Sequence, residues 1–254
     1  MINIAERHQA ILNKLIKEEY VSVIDLCKAL DVSPVTIRKD LKVLEEKNLL
    51  FKSHGGAKLQ NPYIIDRHVS EKVNIKATEK INMAAAAVKL IQENDTLIIA
   101  SGTSVLALAK AIPLQIHLTV VTAALNVSNA LLHHQNIELM QLGGIVRKSS
   151  SSVTGSYAQN ILKDLFCTKL FLGVDGIDLE FGLTTTNSYE AQLNQEMIRV
   201  AQHTIVLADS SKFGRRGFGR ICGVDDIDHI ITDKGISAST LQSLEGRGIT
   251  VTVV

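Results

Sequence analysis

From about residue 75 onward, short apolar runs alternate with longer segments of helical periodicity. The apolar runs predict strands at 96–100, 117–122, 137–142, 169–174, 204–209, 220–223, 229–232 and 249–254. Helices are predicted between them, near 71–92, 105–112, 126–134, 156–166, 188–202 and 238–245. Parallel strands need a crossover connection, which is usually a helix. The alternation therefore predicts an α/β domain with a mainly parallel sheet and helices on both faces.

Small or polar side chains follow four of these predicted strands, at the sheet edge where α/β folds bind ligands. They are Ser101, Gly102, Thr103 and Ser104; Gly143 and Gly144 with Arg147; Asp175; and Asp209 with Lys212. Backbone N–H groups at a helix start can bind a phosphate, and an arginine beside a glycine loop can bind an anion. Each cluster alone is common in turns and caps, but together they predict one pocket for an anionic ligand. Glu190, near the start of a long helix, is expected to approach it.

Residues 1–57 have a different sequence pattern, which predicts three short helices followed by a glycine-containing hairpin. The first helix is predicted at about 5–18, with an apolar stripe of Ile11, Leu12, Leu15 and Ile16. The second begins at Ser22 and ends at a tight turn near residues 31–32. The third runs from Pro34 to Lys47, because Ser33 is a favourable N-cap and proline suits the first helical position.

The third helix has one apolar face and one polar, basic face. Ile37, Leu41 and Leu44 share the first, and Lys39 and Lys42 lie on the second. Arginine and lysine can bind phosphates or guanine edges, while threonine and valine can contact a thymine methyl. With the preceding helix and tight turn, this pattern predicts a helix-turn-helix whose third helix enters the major groove. The predicted DNA contacts are Ser33, Val35, Thr36, Arg38, Lys39 and Lys42.

The stretch after the third helix predicts a β-wing, with a strand at Leu49–Phe51 and a Gly-Gly turn. Its predicted DNA contacts are Lys52, His54, Gly55 and Gly56, although His54 can equally be an ordinary loop histidine. Residues 34–58 contain six lysines and arginines against three acidic residues. The whole chain carries a net charge of only +1, so any basic footprint for nucleic acid is local.

Other classes of function find little support in the sequence. The three cysteines are far apart without CxxC spacing, which favours buried reduced thiols over disulfide or zinc chemistry. The eight histidines show no metal spacing, and no GxSxG, Walker or HExxH motif is found. We therefore predict no metal, no cofactor and no enzymatic activity. The chain shows no signal-peptide pattern and no apolar run long enough for a membrane span, so we expect a cytoplasmic protein.

The segment VSPVTIRKDLKVLEEKNLLFKSHGGA resembles the N-terminal signature of the DeoR family of bacterial transcriptional regulators. LGVDGID and IVLADSSKFGR resemble the signatures of its C-terminal sensor domain, and the resemblance spans nearly the whole chain in the expected order. It implies a winged helix-turn-helix joined to a sensor domain similar to ribose-5-phosphate isomerase and CoA-transferase folds. It also implies a repressor of sugar or polyol catabolism genes that responds to a phosphorylated sugar.

Carried over by motif, the resemblance places the DNA-reading helix at Pro34–Lys47 and the wing at Lys52–Lys58. It places the effector pocket at Ser101–Ser104, Thr122, Gly143, Gly144, Arg147, Asp175, Glu190, Asp209 and Lys212. Two positions depart from the family pattern: Ala100 stands where an aspartate is usual, and Ala123 where an asparagine is usual. Both changes remove a polar group from the expected pocket and leave open a domain that no longer senses a sugar phosphate.

We expect a DNA-binding domain at 1–57, a linker at 58–73 and an effector-binding and oligomerisation domain at 74–254. A homo-oligomer, dimer or tetramer, is expected because a single small DNA domain buries too little surface for tight specific binding. The expected partners are a double-stranded DNA operator and a phosphorylated sugar or polyol. Two alternatives stay open: a DNA binder whose α/β domain only oligomerises, and an isomerase-like enzyme using Asp175, Glu190 and Lys212.

Overall fold

Residues 3–47, 49–53, 55–58 and 68–254 are described by the structure, a computed structural model. The chain divides into two units, Met1–Ile65 and Asp66–Val254. Each unit has its own hydrophobic core: a small aliphatic cluster in the first, and two larger clusters on opposite faces of a sheet in the second.

The first unit contains three helices and a small antiparallel sheet. Its helices are α1 (Ile4–Glu18), α2 (Val23–Leu30) and α3 (Pro34–Glu46). Its strands are β1 (Tyr20–Ser22), β2 (Phe51–Ser53) and β3 (Gly56–Lys58), in the order β1-β3-β2. The side chains of Asn3, Ser22 and Ser33 accept hydrogen bonds from backbone N–H groups in the first turns of the three helices. These caps satisfy donors that the helices leave unpaired, and so fix where each helix begins.

The winged helix-turn-helix prediction is confirmed, with corrections to its details. The wing strand is Phe51–Ser53 and not 49–51, and Leu50, just before it, is fully buried in the core. Ile16 does not belong to the apolar stripe of α1, since its side chain is 63% exposed. The prediction also missed β1, a strand of three residues whose partner β3 lies far along the chain.

The second unit is built around a sheet of seven parallel strands. In chain order its helices are α4 (Val69–Val73), α5 (Ala77–Val88), α6 (Thr103–Ala111), α7 (Leu125–Leu131), α8 (Ser156–Leu162), α9 (Ser188–Val200) and α10 (Ala238–Glu245). Its strands are β4 (Thr96–Ile99), β5 (Leu118–Thr122), β6 (Ile137–Gln141), β7 (Ile145–Arg147), β8 (Ser152–Thr154), β9 (Cys167–Gly173), β10 (Gly176–Asp178), β11 (Gly182–Thr185), β12 (Ala201–Leu207), β13 (Gly219–Cys222), β14 (His229–Thr232) and β15 (Thr250–Val253).

The large sheet has the order β15-β14-β12-β9-β4-β5-β6, and all its pairings are parallel. Helices cover both faces: α5, α6 and α7 pack on one cluster, and α8, α9 and α10 on the other. Strands buried on both faces are apolar along their whole length, which is why the sequence predicted them. The predicted α/β class is confirmed.

The strand order reverses between β4 and β9. The chain runs outward from β4 through β5 to β6, then returns to place β9 on the other side of β4 and continues through β12 to β15. The carboxyl ends of β4 and β9 therefore flank a topological switch point, where open α/β sheets form a crevice for ligands.

Several predicted elements of this unit differ in the structure. The helix predicted at 71–92 is two helices, α4 and α5, because Lys76 adopts a left-handed backbone with φ of 56° between them. The strand predicted at 220–223 lies outside the large sheet, in a small antiparallel sheet of order β10-β11-β13. Neither β10, β11 nor the β7–β8 hairpin was predicted. The predicted ends of α8 and α9 are too late, because these helices stop at Leu162 and Val200.

The three cysteines are free thiols, of which Cys167 is buried and the other two are only partly buried. Within the part of the chain that the structure describes, no helix combines the length and the apolar character needed to cross a membrane.

Candidate functional site

The outer face of α3 is an exposed, basic surface. Val35, Arg38, Lys39 and Lys42 are all exposed, and Ser33 at the helix start is exposed as well. Thr36 is half-buried, and its hydroxyl lies 3.0 Å from the Ser33 hydroxyl. The apolar side of the helix, with Ile37, packs into the core. All six side chains predicted to contact DNA from this helix are thus at least partly accessible.

The acidic residue in the middle of this helix, Asp40, adds no exposed negative charge to that face. Its carboxylate is buried and accepts two hydrogen bonds from the Arg7 guanidinium, at 2.5 and 2.9 Å. His8 Nε2 lies 3.1 Å from the same carboxylate. Burial alone would raise the pKa of Asp40, but these partners hold it below its ordinary value. The pair joins α3 to α1 and leaves Arg38, Lys39 and Lys42 as the exposed charges of the first three turns.

The wing contributes Lys52 and Gly55 as exposed positions. The Lys52 backbone N–H donates to Glu45 Oε1 at 3.0 Å, which ties the wing to the end of α3. Gly56, also predicted to contact DNA, is buried in β3. A Cβ there would collide with the Val21 carbonyl, so its glycine is required by the close pairing of β1 with β3. His54 lies outside the described residues.

The loop after β4 has the backbone of an anion-binding helix start. Gly102 precedes α6 with φ of 132°, a conformation that residues with a Cβ rarely adopt. Among the described residues, no side chain caps this helix. Ser101 and Thr103 are partly exposed, and Ser104 is buried. Unpaired N–H groups of a helix start attract negative charge, so this loop suits a phosphate.

Asp175, just after β9, lies beside that loop at the switch point. A Cβ on Gly173 would come within 3.2 Å of the Ser101 carbonyl, so the two loops almost touch. One carboxylate oxygen of Asp175 accepts from Lys72 Nζ at 2.9 Å, and Lys212 Nζ lies 4.0 Å from the same oxygen. The other accepts from the Thr185 hydroxyl at 3.1 Å. Burial would raise the pKa of Asp175, but the two lysines and these hydrogen bonds keep it below its ordinary value.

A third lysine, Lys80, belongs to the same charge cluster. Its ammonium group is buried and donates to the carbonyls of Lys72 and Ile75, both at 2.6 Å. Burial lowers the pKa of Lys80 to about 8, a shift that nearby Asp209 opposes and Lys212 reinforces. Burial also lowers the pKa of Lys212, against the opposing effect of Asp175. The ammonium groups of Lys72, Lys80 and Lys212 thus belong to one cluster of charges with the carboxylates of Asp175 and Asp209.

The sequence prediction included Asp175, Asp209 and Lys212 but missed Lys72 and Lys80. A signal for Lys80 was present: with Met83, Ala84 and Ala87 it occupies the buried stripe of α5. A lysine at a core position requires a partner, which is a reason to assign it to a polar site. Lys72 left no such signal, because it reaches Asp175 from a helix of only five residues.

The predicted residues Arg147 and Glu190 form a second, largely buried ion pair. Arg147 Nη1 lies 2.9 Å from Glu190 Oε2, and the Ser152 hydroxyl donates to the other carboxylate oxygen at 3.1 Å. The β7–β8 hairpin supplies Arg147 and Ser152, and the first turn of α9 supplies Glu190. The short segment from Thr185 to Glu190 connects this pair along the chain to the Asp175 cluster.

The remaining predicted pocket residues have structural partners of their own. The Thr122 hydroxyl is fully buried, donates to the Ile99 carbonyl at 2.6 Å and accepts from the Ala124 N–H at 3.0 Å. Asp209 is buried and accepts from the N–H and the hydroxyl of Ser211. Gly143 and Gly144 are exposed at the base of the hairpin, where a Cβ on Gly144 would lie 2.6 Å from the Thr154 carbonyl.

Ala100 and Ala123 are both buried in the hydrophobic cluster under the strand ends. They do not open onto the surface, so the missing polar groups are replaced by apolar packing. Ser101 directly follows Ala100, whereas Asp175 and the lysines of the charge cluster come from other segments of the chain. The two departures therefore leave the charged residues of the candidate site in place.

Comparison with known proteins covers both units. A family model described as a DeoR-like helix-turn-helix domain matches residues 7–63, and one described as a DeoR C-terminal sensor domain matches residues 75–234. A putative aga operon transcriptional repressor of Escherichia coli O157:H7 is 38% identical over 98% of this chain and 94% of its own length. The glycerol-3-phosphate regulon repressor of Escherichia coli K12 is 29% identical over 96% of each chain.

Among solved structures, ribose 5-phosphate isomerase A from Methanocaldococcus jannaschii aligns with 54% of this chain and 55% of its own. The TM-score is 0.41 and the sequence identity is 14%. A probable sor operon regulator from Shigella flexneri aligns with 70% of this chain and 86% of its own, with a TM-score of 0.37 and 13% identity.

Proposed function

The chain belongs to the DeoR family of transcriptional regulators, and from that premise we propose that it represses sugar or polyol catabolism genes under the control of a phosphorylated metabolite. The observation that carries the metabolite proposal is the cluster of lysines at the switch point, next to the uncapped start of α6. Lys72 and Lys212 lie 2.9 and 4.0 Å from Asp175, and the Lys80 ammonium group donates to the Lys72 carbonyl. A phosphate ester supplies the negative charge that such a site attracts.

The name of one relative agrees with this class of effector, because it is a repressor of the glycerol-3-phosphate regulon. Glycerol 3-phosphate is a phosphorylated polyol, so it is a natural first compound to test. We propose that the carboxylates of Asp175 and Glu190 bind hydroxyl groups of the effector while the lysines bind its phosphate.

A thermal-shift screen tests the proposal. The purified protein is screened against sugar and polyol phosphates, with the unphosphorylated parent compounds as controls. A true ligand at roughly 100 times its Kd adds about 2.7 kcal/mol of stability, which is a clear shift. A flat panel from a protein that still binds its own upstream DNA would instead favour the alternative in which the α/β domain only oligomerises, and Ala100 and Ala123 would then be the residues to examine.

We propose binding and not catalysis at this site. A general base must be free to take a proton near neutral pH. Lys72 and Lys212 hold the pKa of Asp175 below its ordinary value, and Glu190 is engaged by Arg147 and Ser152. Ribose 5-phosphate should therefore not be turned over. Turnover that disappears in Glu190→Ala would establish the isomerase-like alternative.

We also propose that the second unit assembles into homo-oligomers. A cavity of about 400 Å³ over β5 and β6 is lined by apolar residues, among them Leu139, Met140 and Phe166, and by polar ones such as Glu138, and it contains none of the predicted effector residues. Phe166 is 69% exposed and Met140 41%. Exposed apolar side chains around a concave surface are typical of protein–protein interfaces. Paired DNA-binding units would then match two half-sites of an operator.

A further inference from the structure

The helix α4 is the first described element of the second unit. In chain order α4 follows the DNA-binding unit. A change in the second unit that reaches the DNA-binding unit along the chain must therefore pass through α4. A helix of five residues has no stability of its own, because nucleation of so short a helix is unfavourable. Its position therefore depends on its contacts with the rest of the second unit.

Among the described residues, three polar contacts join α4 to other elements of the second unit. The Val69 N–H donates to the Ser149 carbonyl at 2.6 Å, in the turn of the β7–β8 hairpin. The Lys72 carbonyl accepts from Lys80 of α5 at 2.6 Å. The Lys72 side chain donates to Asp175 at 2.9 Å, at the carboxyl end of β9. The third contact joins α4 directly to the candidate effector site.

The Lys72–Asp175 contact is one that a bound anion would disturb. The Lys72 ammonium group is partly exposed, and its flexible four-carbon stem allows it to move. A phosphate ester carries nearly two negative charges at neutral pH, against one on Asp175. A phosphate at the start of α6 competes with Asp175 for Lys72, while hydroxyl groups of the same molecule compete with Lys72 for Asp175.

We propose that the Lys72–Asp175 ion pair is the point at which effector binding acts on the DNA-binding unit. In the ligand-free protein the pair fixes α4 against the sheet. The bound effector replaces each partner of the pair. The contact that positions α4 is then lost, and DNA affinity changes as a result. This inference rests on the proposed function and assigns Lys72 as the positioning residue that transmits it.

The first test is a double-mutant cycle on DNA affinity without ligand, using the full chain and its own upstream DNA. Lys72→Met and Asp175→Asn each break the pair, so each should shift DNA affinity in the same direction, by about fivefold or more. The double variant should shift it no further, because both changes remove one interaction. Lys72→Arg keeps a cation at the position and should remain closer to wild type than Lys72→Met.

The matched control is Lys76→Met, which removes a lysine of the same segment that pairs with Glu79 at 2.7 Å and not with Asp175. It should leave DNA affinity unchanged. An equal shift in Lys76→Met and Lys72→Met would mean general loosening of the segment and would overturn the inference, as would unchanged affinity in both pair-breaking variants.

Amide hydrogen exchange of residues 68–75 supplies a readout that needs neither DNA nor effector. Lys72→Met should speed exchange of the Val69 amide, and Lys76→Met should not.

A separate experiment tests the response of DNA affinity to a ligand. Glycerol 3-phosphate and inorganic phosphate are added to the wild type and to Lys72→Met. Wild type should change its DNA affinity on addition and Lys72→Met should not.

The two proposals can fail separately. A wild type that binds none of the phosphates contradicts the proposed function, and the ligand-free variants still decide whether the pair controls DNA affinity. A wild type that responds to glycerol 3-phosphate, with Lys72→Met responding to the same extent, overturns the inference and leaves the proposed function intact.

Discussion

Asp40 shows how one carboxylate serves the fold without weakening a DNA-binding surface. It lies in a helix with three exposed basic residues, yet its charge is matched inside the unit by Arg7. Removing one partner of a buried pair leaves an uncompensated charge, which costs more than the pair itself contributes. The pair therefore fixes α3 relative to α1 and keeps the negative charge away from the phosphates of DNA.

Asp40→Asn should destabilise the first unit by roughly 3–5 kcal/mol, because it removes the negative charge from the buried pair with Arg7. Amide hydrogen exchange of α1 and α3 measures the loss. Lys42→Met is the matched control, since its exposed pair with Glu46 is worth only about 0.3–0.5 kcal/mol. Because the pKa of Asp40 is lowered, its stabilisation is present above the ordinary carboxyl pKa and is lost as pH falls below it. Similar exchange in both variants would contradict this role.

Lys80 should make effector binding depend on pH. Burial lowers its pKa to about 8, opposed by Asp209 and Glu79 and reinforced by Lys212 and Lys72. A bound phosphate favours the charged lysine, so binding should take up protons and weaken as pH rises through that value. Calorimetry a unit below and a unit above it, in two buffers of different ionisation enthalpy, measures both effects. Lys80→Met should reduce the proton uptake, and Lys110→Met, on α6, should retain it.

The same shift has a consequence for the ligand-free protein. Between about 8 and the ordinary lysine pKa, the unfolded chain binds more protons at Lys80 than the folded chain. The contribution of Lys80 to the free energy of unfolding therefore rises with pH across that window. At lower pH, a bound effector offsets the cost of burying the charged Lys80, because its phosphate supplies a counter-charge.

At the scale of elements, α3 and its exposed lysines carry the DNA prediction. Lys39→Ala and Lys42→Ala should each weaken operator binding and reduce the slope of log affinity against log salt by about 1 for each phosphate that the variant no longer neutralises. The fold of the sensor unit should be unchanged. Lys17→Ala, an exposed lysine at the end of α1, is the control. Wild-type affinity and salt slope in both α3 variants would show that this face does not read DNA.

The sequence was sufficient for elements whose own residues specify them. The parallel strands were predicted because burial on both faces makes them apolar, and α3 because Ser33 and Pro34 define its start. Short strands were missed, since β1 has three residues and pairs with β3 across more than thirty positions. The break between α4 and α5 was missed as well, because Lys76 is an ordinary helix former that only tertiary contacts place in a left-handed conformation.

The candidate site was predicted only in part. Residues placed by the strands were found, and residues placed by tertiary packing were missed. Residues that end strands, such as Asp175 and Asp209, follow from the topology rule for parallel sheets. Lys72 and Lys80 reach the site from helices before the first strand, and only packing brings them there. Their partners could not be read from local periodicity.

At the scale of the whole molecule, the proposed homo-oligomer can be tested at the exposed phenylalanine of the β5–β6 cavity, Phe166. Phe166→Ser should shift the protein towards smaller species in light scattering coupled to size-exclusion chromatography, because it removes an apolar side chain from the proposed interface. Phe218→Ser is the matched control, since both phenylalanines are 69% exposed. An unchanged mass in Phe166→Ser, or an equal change in both variants, would place the interface elsewhere.

The pairing of β4 with β9 also determines which unit can fold first during synthesis of the chain. The core of the first unit is complete by Ala57, whereas β4 gains its central neighbour only after the ribosome has made Cys167–Gly173. Domains generally fold as they emerge, and contacts between distant strands form late. A nascent chain, or one truncated before residue 167, would thus carry a finished first unit without the sheet that forms the proposed effector site and the proposed interface between copies. Premature stop codons in that interval should yield chains that no metabolite regulates and that bind an operator weakly, because the proposed pairing of DNA-binding units is lost.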